Sequence, residues 1–300
     1  MTATRTSAPF LRSDNDTLTV MTDVGIALIP PSAAAIRYFG LRAFELLLIA
    51  LLTSLAADRI AAVFRHNARR FDGSALISGW ILALSCPPRT PPALLALLCL
   101  LTVWLFREAF GGIGRNLFNP AMAARAVLLT VFPAHATGYA LSHAVSSATP
   151  LTDASLPLSA LFWGRVGGSI GETSVPMLLL GGGYLLARRV IPLKAPLLSL
   201  GAFAAVTALG GGDVLRGLMS GSILFASIYI FTDYTGRPTT RVGEALFAVG
   251  CGALTALLRL YGRYPEGVCF AVLLMNLLTL PLEECTHPRV YGYRRKEKTL

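Results

Sequence analysis

Asn116 and Asn119 stand three residues apart in Gly111-Gly112-Ile113-Gly114-Arg115-Asn116-Leu117-Phe118-Asn119-Pro120-Ala121, just ahead of an apolar run. Each carboxamide both donates and accepts hydrogen bonds. Glycines such as Gly114 let a backbone come close to a ligand or to another helix. Pro120 suits the first turn of a helix, and Asn119 suits its N-cap. A helix that starts this way inside a membrane offers free N–H groups to an anionic or electron-rich ligand. The simpler alternative is a capped helix start with no ligand. Asp233 closes another apolar run, in Thr232-Asp233-Tyr234-Thr235-Gly236-Arg237-Pro238-Thr239-Thr240. A carboxylate there is costly to bury, so it must pair or line a polar path. Arg237 is the candidate partner, and a solvated turn is the alternative. Glu172 follows Gly167-Gly168-Ser169-Ile170-Gly171 and is expected in the first turn of a helix, where it complements the helix dipole. Asn276 lies inside a late apolar run that Tyr264-Pro265-Glu266-Gly267 opens; an amide there serves to hold helices together. Ser146-Ser147-Ala148-Thr149-Pro150-Leu151-Thr152-Asp153 is small, hydroxyl-rich and turn-forming.

These residues need a scaffold, and the composition says which kind. Of 300 residues, 54% are hydrophobic and only 14% charged, with a mean hydropathy of +0.62. A soluble domain carries about a quarter charged residues. Ten apolar segments follow one another, at approximately 20–39, 41–63, 74–86, 92–106, 117–132, 175–188, 194–211, 216–232, 244–260 and 265–282. The expectation is an all-α integral membrane protein of about ten transmembrane helices. A crossing needs roughly 20 apolar residues, so the third, fourth and fifth segments are short, broken helices. Their breakers are Cys86-Pro87-Pro88, Pro91-Pro92 and the glycines at 111, 112 and 114. Interrupted helices survive at membrane depth only where protein or a cavity covers their free backbone groups.

Charge sets the orientation. Basic residues follow every even-numbered segment: Arg65, Arg69 and Arg70; Arg107 and Arg115; Arg188, Arg189 and Lys194; Arg237 and Arg241; and Arg289 to Lys298. Those loops and both termini are therefore expected in the cytoplasm of an inner-membrane protein, and the Thr149 loop outside. Arg259 and Arg263 do not obey this rule. The net charge of +10 belongs to these topology determinants, not to nucleic-acid binding. The five cysteines and four histidines lack ligand spacing, so no metal site is expected. Leu76-Ile77-Ser78-Gly79-Trp80-Ile81-Leu82 echoes Leu218-Met219-Ser220-Gly221-Ser222-Ile223-Leu224 five segments later. An odd separation reverses orientation, which implies a five-plus-five inverted repeat with its site near the midplane. The resulting divisions are a cytoplasmic segment 1–19, a first half 20–132, an outer loop 133–174, a second half 175–282 and a basic tail 283–300.

From Met21 onward the sequence resembles the RnfD/NqrB family, membrane subunits of the Rnf complex and of the sodium-translocating NADH:quinone oxidoreductase. The likeness rests on Gly114 to Ala121, Ser146 to Leu151, Gly168 to Ser174, Asp233 with Pro238-Thr239-Thr240, Tyr264 to Val268, and His287-Pro288-Arg289-Val290-Tyr291-Gly292. The compact length and the Pro-Arg-Val-Tyr-Gly tail look more like RnfD. The resemblance implies FMN attached through a phosphoester to Thr149, with Ser146, Ser147 and Ala148 completing the attachment motif for a flavin transferase. Two positions depart from the family pattern: Ser147 replaces its glycine and His143 its aspartate. The resemblance also implies a second, non-covalent flavin such as riboflavin. Gly114, Asn116, Asn119 and Asp233 are its candidate lining.

The implied role is an electron-transfer subunit between ferredoxin and NAD, coupled to sodium or proton movement, and not an enzyme on its own. Implied partners are a periplasmic flavin-bearing subunit, iron–sulfur subunits and the lipid membrane. Thr149 is then an anchor, and no residue is a catalytic nucleophile. Inverted repeats and broken helices suit a non-redox solute or ion transporter equally well.

Overall fold

The computed structural model describes residues 16–64, 71–136, 156–220, 222–262 and 267–288. The attachment motif at Ser146 to Thr149 lies outside the described residues, which are helical with no strand. The order is α1 (Thr17–Phe39), α2 (Leu41–Phe64), α3 (Ser74–Ser85) and α4 (Pro92–Val103), which runs into a π turn (Trp104–Glu108), then α5 (Pro120–Val131). Two short helices follow, α6 (Pro133–Ala136) and α7 (Leu158–Trp163). The second series is α8 (Val175–Ala187), α9 (Lys194–Leu209), α10 (Val214–Met219), α11 (Ile223–Tyr229), α12 (Arg241–Tyr261) and α13 (Val268–Thr286).

Among the described residues, α1, α2, α12 and α13 are long and apolar enough to cross a membrane. The twelve residues of α3 reach only about 18 Å of a roughly 30 Å hydrocarbon core. Its last carbonyls are instead satisfied by protein. Gly171 N–H donates to Leu84 O at 2.8 Å, and Ile170 N–H donates to Cys86 O at 3.1 Å. A side chain at Gly171 would strike Leu84, so this loop needs its glycine to reach the helix end. The eighth apolar segment is not one helix: it breaks into α10 and α11 around Ser220-Gly221-Ser222. The echoed Ser78 sits inside α3, whereas its counterpart Ser220 sits at that break.

The two series share a neighbour pattern. α2 packs on α3 and α4, and α4 on α5; α9 packs on α10, α11 and α12, and α12 on α13. Equivalent helices meet across the halves, α1 against α8 and α5 against α13. Most of the buried side chains form one continuous apolar core through both series.

A membrane helix with internal prolines must rehouse the carbonyls they strand. In α1, Pro31 cannot donate to Ala27 O, and Tyr229 Oη of α11 donates there instead at 2.8 Å. α8 passes close by at Gly181, where any Cβ would collide with Tyr229 Oη and Ala27 O. Proline, tyrosine and glycine thus fix how α1, α8 and α11 meet.

Candidate functional site

Where these three helices meet α3 and the start of α5, a cavity opens. The space open to the centre of a water-sized sphere is ≈ 80 Å³. One side is aliphatic, from Val20 and Val24 on α1, Ile77 and Ile81 on α3, Leu185 on α8, Ile191 and Ile228. The other side is polar, from Ser74, Ser78, Arg107, Asn116, Asn119, Thr232, Asp233 and Thr235. The structure thereby brings Asn116, Asn119 and Asp233 together. Gly114 is not on the wall; it lies in the turn leading to Asn116.

Asn119 acts as the N-cap of α5, its Oδ1 accepting from Met122 N–H at 3.2 Å with Pro120 in the first turn. Its Nδ2 donates to Asp233 Oδ2 at 2.9 Å, and its backbone N–H donates to Asn276 Oδ1 at 3.1 Å. Asn276 Nδ2 in turn donates to Gly236 O at 2.8 Å. Asn276 is therefore the interhelical tie expected of it, joining α5, α13 and the loop after α11. Asp233 Oδ1 accepts from the N–H and hydroxyl of Thr235, at 3.1 and 2.9 Å. Arg237 is not its hydrogen-bond partner: Arg237 pairs with Glu244 of α12. Burial pushes the Asp233 carboxyl up from its ordinary value, against the Thr235 and Asn119 hydrogen bonds and the charge of Arg237, which pull it down. Tyr234 is pushed up to about 12, by burial first and then by the charges of Asp233 and Asp72.

Asn116 is 7% exposed, and its Oδ1 has no hydrogen-bond partner among the described residues. Its Nδ2 donates to Phe118 O at 3.1 Å. A buried acceptor left unpaired costs about 1–3 kcal/mol. Beside a cavity, that cost is what a ligand N–H would remove.

Two arginines do more than their sequence context suggests. Arg107 stands among the solvated topology determinants by its position at a segment end, but it is buried. Its Nη1 donates to Asp58 Oδ1 at 2.7 Å and its Nη2 to Asp72 Oδ1 and Oδ2 at 2.9 and 2.8 Å, with Glu108 Oε1 at 3.1 Å. It lies in the π turn, whose extra residue per turn shifts side-chain register and recurs at functional sites. Arg125 sits inside the fifth apolar segment; a charge there is itself the signal of a polar contact. It meets Glu172 Oε1 at 3.4 Å and Ser169 Oγ at 3.1 Å. Glu172 precedes α8 and holds this buried pair, so its role as a first-turn dipole partner is not what the fold uses. Burial pushes its carboxyl up, and Arg125 chiefly opposes this. The pair anchors the loop that caps α3.

Comparison with known proteins finds similarity along nearly the whole chain. The D-subunit of the Na+-translocating ferredoxin:NAD+ oxidoreductase complex of Acetobacterium woodii is 36% identical, covering 98% of this chain and 97% of that protein. The D-subunit of the proton-translocating ferredoxin:NAD+ oxidoreductase complex of Clostridium ljungdahlii is 33% identical, with 97% of each covered. The D-subunit of the ion-translocating oxidoreductase complex of Stutzerimonas stutzeri is 35% identical, with 94% of each covered. The model of the NQR2, RnfD, RnfE family matches residues 4–292, and the chain belongs to that family.

Proposed function

We propose that this chain is the flavin-bearing membrane subunit of an Rnf-type complex. It relays electrons between ferredoxin and NAD, coupled to sodium or proton movement across the cell inner membrane. The carrying observation is the full-length similarity to relatives named as the D-subunit of ferredoxin:NAD+ oxidoreductase complexes. In this reading Thr149 carries FMN through a phosphoester on the outer side, placed there by a flavin transferase acting on Ser146 to Thr149. The flavin exchanges electrons with a periplasmic flavin-bearing subunit, and iron–sulfur subunits complete the chain. Both termini are cytoplasmic.

We assign a second, non-covalent flavin such as riboflavin to this cavity on the chemistry of its lining. A flavin supplies reversible one- and two-electron transfer when bound. The aliphatic wall of Ile77, Ile81, Leu185 and Ile228 suits the faces of a flat ring system and excludes water. Asn116 binds and orients its polar edge, and Asn119 holds Asp233 in place beside it. The unpaired Asn116 Oδ1 supports this assignment, since it asks for an N–H donor. Asp233, whose carboxyl burial pushes up from its ordinary value, is the group that would hold or release a proton there, at its Oδ atoms. Arg107 carries a fixed positive charge on the same wall.

Denaturing electrophoresis after co-expression with an active flavin transferase tests the covalent claim. A fluorescent band that Thr149→Ala abolishes supports it; a dark wild-type band, with the transferase active on another substrate, overturns it. The cavity is tested separately by flavin released on acid denaturation of Thr149→Ala protein. About one flavin per chain is expected, falling severalfold in Asn116→Ala. No released flavin would remove the second site and leave the first untouched.

A further inference from the structure

Val190 and Ile191 line the cavity and also an open basin formed by Leu186, Arg189 to Leu193, Arg237 and Glu244. Helix α8 ends there in a Schellman turn. Arg189 N–H donates to Leu186 O at 3.0 Å, and Val190 N–H donates to Leu185 O at 2.9 Å. The pivot of that turn calls for a left-handed residue, normally glycine. Here it is Arg189, at φ 57°, the one non-glycine with positive φ among the described residues. A strained cation where glycine would serve the backbone better points to a use for its charge.

Neighbouring cations are already engaged. Arg188 Nε donates to Asp23 Oδ1 at 3.2 Å, and Arg237 pairs with Glu244. The Arg189 side chain has no protein partner among the described residues and faces the basin, exposed. Lys194 and Arg241, also exposed, stand at the starts of α9 and α12 and add positive charge to the same side. Below it the surface turns apolar. Leu193 and Leu197 lie one helical turn apart at the start of α9, 54% and 58% exposed. Val242 and Leu246 do the same on α12, 59% and 47% exposed, and α9 packs against α12. A cationic seat above two parallel aliphatic lanes matches one chemistry, a phosphodiester headgroup joined to acyl chains.

We propose that this basin binds an anionic phospholipid, with its phosphate on Arg189 and its chains along Leu193, Leu197 and Leu246. The inference does not depend on the flavin assignments. Basic pockets at helix ends are known seats for such headgroups, each cation near the surface contributing about fivefold in affinity. Native mass spectrometry of the purified chain, with phosphatidylglycerol and phosphatidylcholine of identical chains, provides the test. Wild type is expected to retain phosphatidylglycerol at least about fivefold over phosphatidylcholine. Arg189→Gln and Arg189→Gly should lose that preference, and Arg189→Lys should keep most of it. Arg189→Gly should also melt higher than wild type in phosphatidylcholine, because the backbone strain is gone, yet gain nothing from phosphatidylglycerol. No preference in wild type, retention in Arg189→Gln, or an equal loss in Arg37→Gln at the far end of α1 would each overturn the proposal. Competition by inorganic phosphate alone at micromolar concentration would also overturn it, showing a free-anion site instead of a lipid seat.

Discussion

Asn119 uses every polar group it has. Its Oδ1 caps α5, its Nδ2 reaches Asp233 and its backbone N–H reaches Asn276. Replacement by alanine removes a cap and orphans one acceptor, Asp233 Oδ2, which together cost about 2–3 kcal/mol, read as a lower melting temperature in detergent. Asn119→Asp keeps the cap but sets a second acid against Asp233. It should be milder than alanine near pH 4 and at least as damaging near pH 8, a crossover visible in melting curves. Asp233 has its own signature. Its folded carboxyl titrates above its unfolded value, so its contribution is full below the unfolded value and is lost as pH rises through the raised one. Wild type minus Asp233→Asn stability should therefore fall with rising pH from about 4 upward; a flat difference would contradict the burial of this carboxyl. The cap itself is legible in sequence, since Asn-Pro before an apolar run obeys a local rule. The bond to Asp233, 114 residues away, is not. Neither Asn119 nor Asp233 carries any local mark of its partner. Arg107 misleads for a related reason: at a segment end, a solvated cation and a buried one have the same sequence context.

Elements are set here by close approaches that single residues permit. Gly181→Ala would push α8 away from α1 and α11, with an overpacking cost of about 1–3 kcal/mol and loss of the non-covalent flavin from a distorted cavity. Tyr229→Phe keeps the shape but leaves Ala27 O bare beside Pro31, costing about 1–3 kcal/mol without displacing any helix. Comparing the two by melting temperature and bound flavin separates packing from polar satisfaction: alanine should lower both, phenylalanine mainly the first. Segment positions follow from hydropathy because lipid imposes it directly. The break at Ser220 to Ser222 does not, because Leu218 to Phe231 reads as one apolar run and the interruption depends on neighbours that cover it. Likewise the loop at Ile170-Gly171 is visibly glycine-rich, but nothing in it marks the cap of a helix some ninety residues earlier.

At the scale of the molecule, the proposed topology makes Cys285 informative. It is the exposed cysteine among four buried ones and lies near the end of α13, on the side assigned to the cytoplasm. In intact cells a membrane-impermeant maleimide should not label it, while opened membranes should. In a Cys285→Ser background, Ser155→Cys should label from outside without opening. The reverse pattern would invert the whole arrangement. Arg259, which the charge rule leaves over, shows what patterning misses: its Nη1 donates to Gly217 O and Ser220 O, serving the broken α10–α11 backbone instead of topology. One wall has a wider consequence. Val190 and Ile191 belong to both the cavity and the open basin. A ligand on either face that biases this wall must change affinity on the other, and linkage requires the two effects to be equal. The composition of the surrounding bilayer would then act as an effector of cofactor retention, and cofactor loading would in turn select which lipids travel with the protein.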